Sequence, residues 1–343
     1  MRRVHKLVYA LLIAVPAVAL ASCSSGGGGG GGISAAPGAP PEQPSIVVDA
    51  VPTADAAGLY IALDQGYFAQ QGLTVKIVPI FGGEFGMADL QDSHAQIVEG
   101  NYVSFIQAQI AGSYDKHPIS MRIIANASLM QPGNQAIYVL PHSRFKTVAD
   151  LAAAKATIGL NSPNNIGQVL FGALFQQDGL KLARIRQVYE PFPLLLQGLQ
   201  KGHLDAAWLP EPFGSQAEQQ FGAAPLADFD QGSLQNFPIG CYIGATQWVK
   251  GHPDTVAAFL RALREGQQVA DTDRAAVETA LEKNTGTSQV IAATMTINSY
   301  PLNMDVPTMQ RVSNAMFEFG LMPGYKQPYP ITGMIQPEPG MVG

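Results

Sequence analysis

From Ser45 onward the chain alternates short runs of β-forming residues with segments of helical periodicity, and this alternation limits the possible folds more than any other feature. Strands joined through helices pair in parallel, and a parallel sheet must be covered on both faces. The pattern predicts strands over 46–51, 74–80, 95–99 and 121–127, with helices over 55–64, 84–91 and 102–111. A second series begins near residue 140, with strands over 157–160, 185–189 and 204–209. Its helices are predicted over 163–178, closed by Gly179, and over 192–201, closed by Gly202. The remainder reads as helices over 253–270, 274–284 and 307–319. The fold class expected is α/β in two lobes, each a mainly parallel sheet with flanking helices. The β-like runs Gln135 to Leu140 and Pro238 to Ala245 are taken as the two hinge crossings. Lobe 1 is then 45–138 plus 241–343, and lobe 2 is 139–240. A faint internal match supports paired lobes: 90–94 (LQDSH) and 199–203 (LQKGH) agree at three of five positions. It aligns Asn101 and Tyr102 with Pro210 and Glu211, so both pairs are expected to face one crevice.

The N-terminus carries Arg2, Arg3 and Lys6, then 14 uncharged residues from Leu7 to Leu20. That run is shorter than the roughly 20 residues a spanning helix needs and contains Pro16, so residues 1–22 read as an export signal. The following Leu20-Ala21-Ser22-Cys23 resembles the bacterial lipobox, which implies cleavage before Cys23 and lipid on its thiol. Residues 23–44, with seven consecutive glycines, have no apolar periodicity and read as a flexible tether. The expected location is extracytoplasmic, held to the cell membrane by that lipid. Cys241 is the only other cysteine, so no intramolecular disulfide remains once Cys23 is lipidated. A net charge of −6 and no Lys/Arg cluster beyond the signal argue against a nucleic-acid partner.

Three blocks, at 58–78 (GLYIALDQGYFAQQGLTVKIV), 195–213 (LLQGLQKGHLDAAWLPEPF) and 248–263 (WVKGHPDTVAAFLRAL), resemble solute-binding lipoproteins of ABC importers. The group in question serves nitrate, sulfonates, taurine and thiamine-precursor pyrimidines. The resemblance implies a type II periplasmic-binding-protein fold, a small-molecule ligand, a monomer, and a membrane permease with its ATPase as partners. It implies no cofactor and no catalysis. The chain has no GxxxxGK[ST] loop, so a separate ATPase must supply the energy.

Ligands of open α/β sheets bind beyond the carboxyl ends of the strands. In the first lobe those exits carry Thr53 and Asp55, then Glu84 and Phe85 after Gly82-Gly83, then Asn101 and Tyr102. In the second they carry Ser162, Asn164 and Asn165 near a helix start, then Trp208 and Glu211. Capping or core packing accounts equally well for Ser162, Asn164 and Trp208. No Lys or Arg stands at any exit, which departs from what an anion site recruits. The expected ligand is therefore neutral or cationic, a nitrogenous ring stacked on Tyr102, Phe85 or Trp208 and bonded by the amides and carboxylates.

The leading rival is an enzyme on the same scaffold, as in pyrimidine-synthase relatives, but these carry a cysteine-rich stretch absent here. No HExxH, CxxC or GxSxG motif occurs, and no metal site is expected; Glu84 with Glu211 stays open as a glycosidase-like pair. A sensory solute receptor is the third reading, using the same cleft with a different partner.

Overall fold

The computed structural model describes residues 38–111, 119–181 and 184–336. The export signal, Cys23 and most of the expected tether lie outside them. Ten strands form two sheets: β1 (Ser45–Ala50), β2 (Thr74–Pro79), β3 (Ile97–Asn101), β4 (Met121–Leu129), β5 (Gln135–Val139), β6 (Thr157–Leu160), β7 (Arg186–Tyr189), β8 (Ala206–Pro210), β9 (Ala224–Asp228) and β10 (Pro238–Ala245). The first sheet runs β2-β1-β3-β10-β4 and the second β7-β6-β8-β5-β9. In each, three parallel strands come first and one strand, β10 or β5, runs antiparallel to both its neighbours. β3 and β8 hold the same place in the two sheets, as the internal match expects.

The segments expected as crossings are thus strands inside the sheets. The chain passes between lobes at 130–134 and returns at 229–237, a few residues before each of those segments. Both runs start where their strands start, at Gln135 and Pro238; the difference arises because sequence periodicity does not specify which sheet a strand joins. β9 and the helices Val148–Ala154 and Phe213–Phe221 were not anticipated either. The helix expected from residue 163 starts at Ile166, because Asn165 rather than Ser162 caps it, accepting from Gly167 N at 3.0 Å.

Helix Pro253–Thr272 returns to lobe 1 and buries Val256, Phe259 and Leu263 along one face. Phe259 stacks on Phe68 at 5.3 Å and meets Tyr242 edge-on at 6.0 Å. Its free N–H groups are met by Glu42, which accepts from Asp254 N (3.0 Å), Thr255 N (2.8 Å) and Thr255 Oγ1 (2.9 Å). Partial desolvation raises the Glu42 carboxyl, but these bonds outweigh it and hold the pKa down to about 2. Gln43 adds bonds to Thr255 Oγ1 and Trp248 Nε1.

The crossings are tied to one another and to the C-terminal helix Val306–Glu318. Met130 N donates to Phe237 O at 2.8 Å, and Gln131 Nε2 to Asn236 Oδ1 at 3.1 Å. Arg311 spreads its guanidinium over the second crossing, donating to the carbonyls of Ser233 (2.9 Å), Gln235 (2.8 Å) and Asn236 (3.2 Å), with its Cζ 5.3 Å from the centre of the Phe237 ring. Elsewhere, β1 buries Asp49, whose Oδ2 lacks a partner among the described residues. Burial, with Asp89 beside it, pushes its pKa up to about 6.

Two outcomes are expected. Arg311→Ala removes three charge-assisted bonds from the second crossing and should cost about 2 kcal/mol in urea unfolding, with Arg311→Lys recovering only part. For Asp49, a folded pKa above the ordinary value means that its neutral form contributes stability fully below about pH 4, and that this is lost as pH rises through about 6. Asp49→Asn should therefore match wild type in acid and exceed it by about 1–2 kcal/mol at neutral pH, as read from denaturation midpoints across that range.

Candidate functional site

The carboxyl ends of β1 and β3 in one lobe, and of β8 in the other, converge on a cavity of about 30 Å³ between the sheets. That is room for one or two water molecules, so the cleft is nearly shut. Lobe 1 supplies Val51, Thr53, Asp55, Glu99, Asn101 and Gly240 to its wall, and lobe 2 supplies Gln135, Ile166, Phe192, Trp208 and Pro210. Glu99 and Asn101 lie two apart on β3, and Trp208 and Pro210 two apart on β8, so each pair shares one side of its strand. A larger hollow, of about 280 Å³, lies against the middle of β4 and helix Pro253–Thr272, away from the point where the two sheets meet.

Asp55 is buried and fully engaged. Its carboxylate accepts from Thr53 Oγ1 at 2.8 Å, from Ser128 Oγ, and from Asn298 Nδ2 at 2.6 Å. Burial pushes its pKa up while these three donors pull against the rise. Glu99, at 1 % exposure, accepts from Val51 N at 3.0 Å through Oε2. Burial, with the Asp55 charge nearby, pushes the Glu99 carboxyl well above the ordinary range. Gln135 accepts from Trp208 Nε1 at 2.9 Å, which turns its amide nitrogen free of that bond. Trp208 itself meets Phe192 edge-on at 5.4 Å, making an aromatic corner. Among the described residues the wall holds two carboxyls and two amides, with no Lys, Arg or His.

Of the residues expected from sequence, the structure brings Thr53, Asp55, Asn101 and Trp208 together at the cavity. Tyr102 points the other way into the core, where its hydroxyl donates to Asn126 Oδ1, so it offers no ring to the cleft. Glu84 accepts from Ser104 Oγ at 3.0 Å, and Phe85 is exposed, edge-on to Phe81 at 6.2 Å. The neighbouring Gly83 serves packing: a Cβ on Gly100 would lie 2.7 Å from its Cα, so the two backbones touch. Ser162 accepts from Asn165 Nδ2 at 2.7 Å; Asn164 is exposed in the left-handed region at φ 53°. Glu211 accepts from Ser215 N (3.1 Å), Ser215 Oγ (2.8 Å) and Thr296 N (3.3 Å), while its carbonyl receives Ala54 N at 3.0 Å across the lobes. It fastens lobe 2 to lobe 1 and does not line the cavity. Sequence reasoning missed Glu99, Gln135 and Phe192. A lone carboxylate inside the apolar run IVEGN was the available signal for the first; the other two sit at element starts that read as ordinary.

Two α/β sheets linked twice, with their strand ends closing on one polar cavity, define the periplasmic-binding-protein fold. Solved structures agree. The alkanesulfonate-binding protein SsuA of Xanthomonas axonopodis pv. citri, bound to MOPS, superposes with a TM-score of 0.71 at 16% identity, over 85% of this chain and 98% of that one. The nitrate-binding protein NrtA of Synechocystis PCC 6803 gives 0.73 at 16% identity, over 83% and 84% of the two chains. The Candida albicans CA3427 gene product, described as having the generic periplasmic-binding-protein fold, gives 0.67 at 14%, over 86% and 96%. Residues 39–282 match the NMT1-like family, and the chain belongs to it. No curated protein matches by sequence.

The bonding of the two groups separates their expected behaviour. Asp55→Ala strands three buried donors and should cost about 3 kcal/mol or more in chemical denaturation. Asn101→Ala loses the Asn101 Oδ1 bond to Ser104 N, a helix cap of 2.9 Å, and should cost about 1 kcal/mol.

Proposed function

We propose that this chain is an extracytoplasmic substrate-binding lipoprotein of an ABC importer. Lipid on Cys23 anchors it, and the folded part acts as a monomer that captures a small organic solute between its lobes. Solute bridges the two walls of the cleft and shifts the population toward the closed form, which a membrane permease then reads while a separate ATPase drives release. The family, the fold and the paired crossings support this reading. Twisting about 130–134 and 229–237 separates the walls without breaking either sheet, since both crossings lie outside the strands.

The observation that carries the ligand class is the cavity wall itself. The alkanesulfonate-binding and nitrate-binding relatives are named for anions. Here Asp55 and Glu99 stand at the cavity with no basic side chain, so an anion would be held against two carboxyls. A neutral or cationic nitrogenous compound fits instead, with N–H groups toward Glu99, acceptors toward the amides of Gln135 and Asn101, and an aromatic face toward Trp208 and Phe192.

Native mass spectrometry of the purified protein should find a nitrogenous solute that leaves chemically unchanged. Small-angle scattering should show a smaller radius of gyration when that solute is restored. A chain that keeps one radius with every solute, or that converts the compound, overturns the role.

A further inference from the structure

We propose that Glu99 is the counter-ion of a protonated amine or amidine head group on the captured solute, and that capture expels a proton from this residue. The proposal rests on the solute-binding role above and narrows it to charge and residue. Glu99 is buried at the cavity wall, with Oε2 fixed by Val51 N; its Oε1 has no hydrogen-bond partner among the described residues. A Cβ placed on Gly240, also at the wall, would come within 3.1 Å of Oε1, and glycine there leaves the approach open. The other cavity acid, Asp55, already accepts three side-chain bonds, so the unmet bonding capacity belongs to Glu99.

The groups facing Glu99 are Asp55 from the turn after β1, Tyr60 from helix Ala57–Asp64, and Cys241 and Tyr242 from β10. The tyrosines and the cysteine are held neutral by burial, and β4 faces this region with the uncharged Asn126 and Ser128. Among the described residues no positive charge offsets the pair. Without solute, the cheapest state is one in which Glu99 keeps its proton. A cavity of about 30 Å³ admits a group of water size, which an ammonium or one arm of an amidine matches. On capture, the head group donates N–H to Oε1, the Glu99 proton passes to solvent, and one cation replaces one proton. The charge of the closed cleft is unchanged, so the exchange avoids the cost of a buried unpaired ion.

Calorimetry at neutral pH with propylamine, benzamidine and aminopyrimidine, against taurine and nitrate, in buffers of different ionisation enthalpy, counts the protons. The expected result is that a cationic probe binds best, releases close to one proton, and tightens as pH rises by up to about tenfold per unit. Glu99→Gln should abolish the release and weaken that probe by roughly 100-fold, with Glu99→Asp retaining the release at lower affinity. A best probe that closes the lobes in scattering, yet releases no proton and binds Glu99→Gln as tightly as wild type, overturns the proposal and leaves the binding role standing. A measurement without solute tests the same point. The infrared spectrum of wild type minus Glu99→Gln should contain a protonated-carboxyl band near neutral pH, and its absence overturns the proposal whichever probes bind. Since the neutral form of Glu99 is the stable one, Glu99→Gln should also unfold later than wild type at alkaline pH, which verifies that the variant folds.

Discussion

Two carboxyl groups, Asp55 and Glu99, are shut away from water at the cavity with no cation beside them among the described residues, and the surrounding structure is built to hold them. Asp55 is tolerated because Thr53, Ser128 and Asn298 converge on it from the turn after β1, from β4 and from a loop near residue 300. The most distant donor, Asn298, lies 243 residues from Asp55, so the network can form only once the chain has returned from the second lobe. Buried charge thereby couples completion of lobe 1 to the whole double crossing. Glu99 borrows the same shell but receives only Val51 N, and the imbalance between the two acids gives the cavity its chemical character.

The hinge follows from topology. Each sheet admits one antiparallel strand directly from a crossing, so the linkers enter and leave at the same edge of the cleft and can pair with each other. Arg311 adds a brace from outside, gripping three carbonyls that a linker, unlike a strand, has no ladder to satisfy.

Most strands and helices are readable because most parallel strands carry an apolar run bounded by turn residues, as in β3, β6 and β8. The readings that slipped share one cause. β5 and β10 were seen as β-like but assigned to the passage between lobes, since sequence period does not say which sheet a strand joins. At the site, Thr53, Asp55, Asn101 and Trp208 could be read from the strand ends. Tyr102 follows Asn101 directly yet faces the opposite way, because the helix begins at that residue and turns its ring toward β4. Glu211 stood at an exit but spends its carboxylate on Ser215 and Thr296. Glu99 escaped because it lies inside the strand, where a carboxylate is rare enough that its isolation was itself the signal.

The clasp made by Glu42 has a mechanical meaning. Its carboxylate sits on the first turn of helix Pro253–Thr272, and Gln43 is bonded to the same turn, so the chain at these two residues is fastened to the first lobe. Any pull or drag on the upstream chain is therefore delivered to the lobe that holds Asp55 and Glu99. For the tethered solute-binding role proposed above, the first lobe would be the fixed jaw of a vice and the second lobe the moving one.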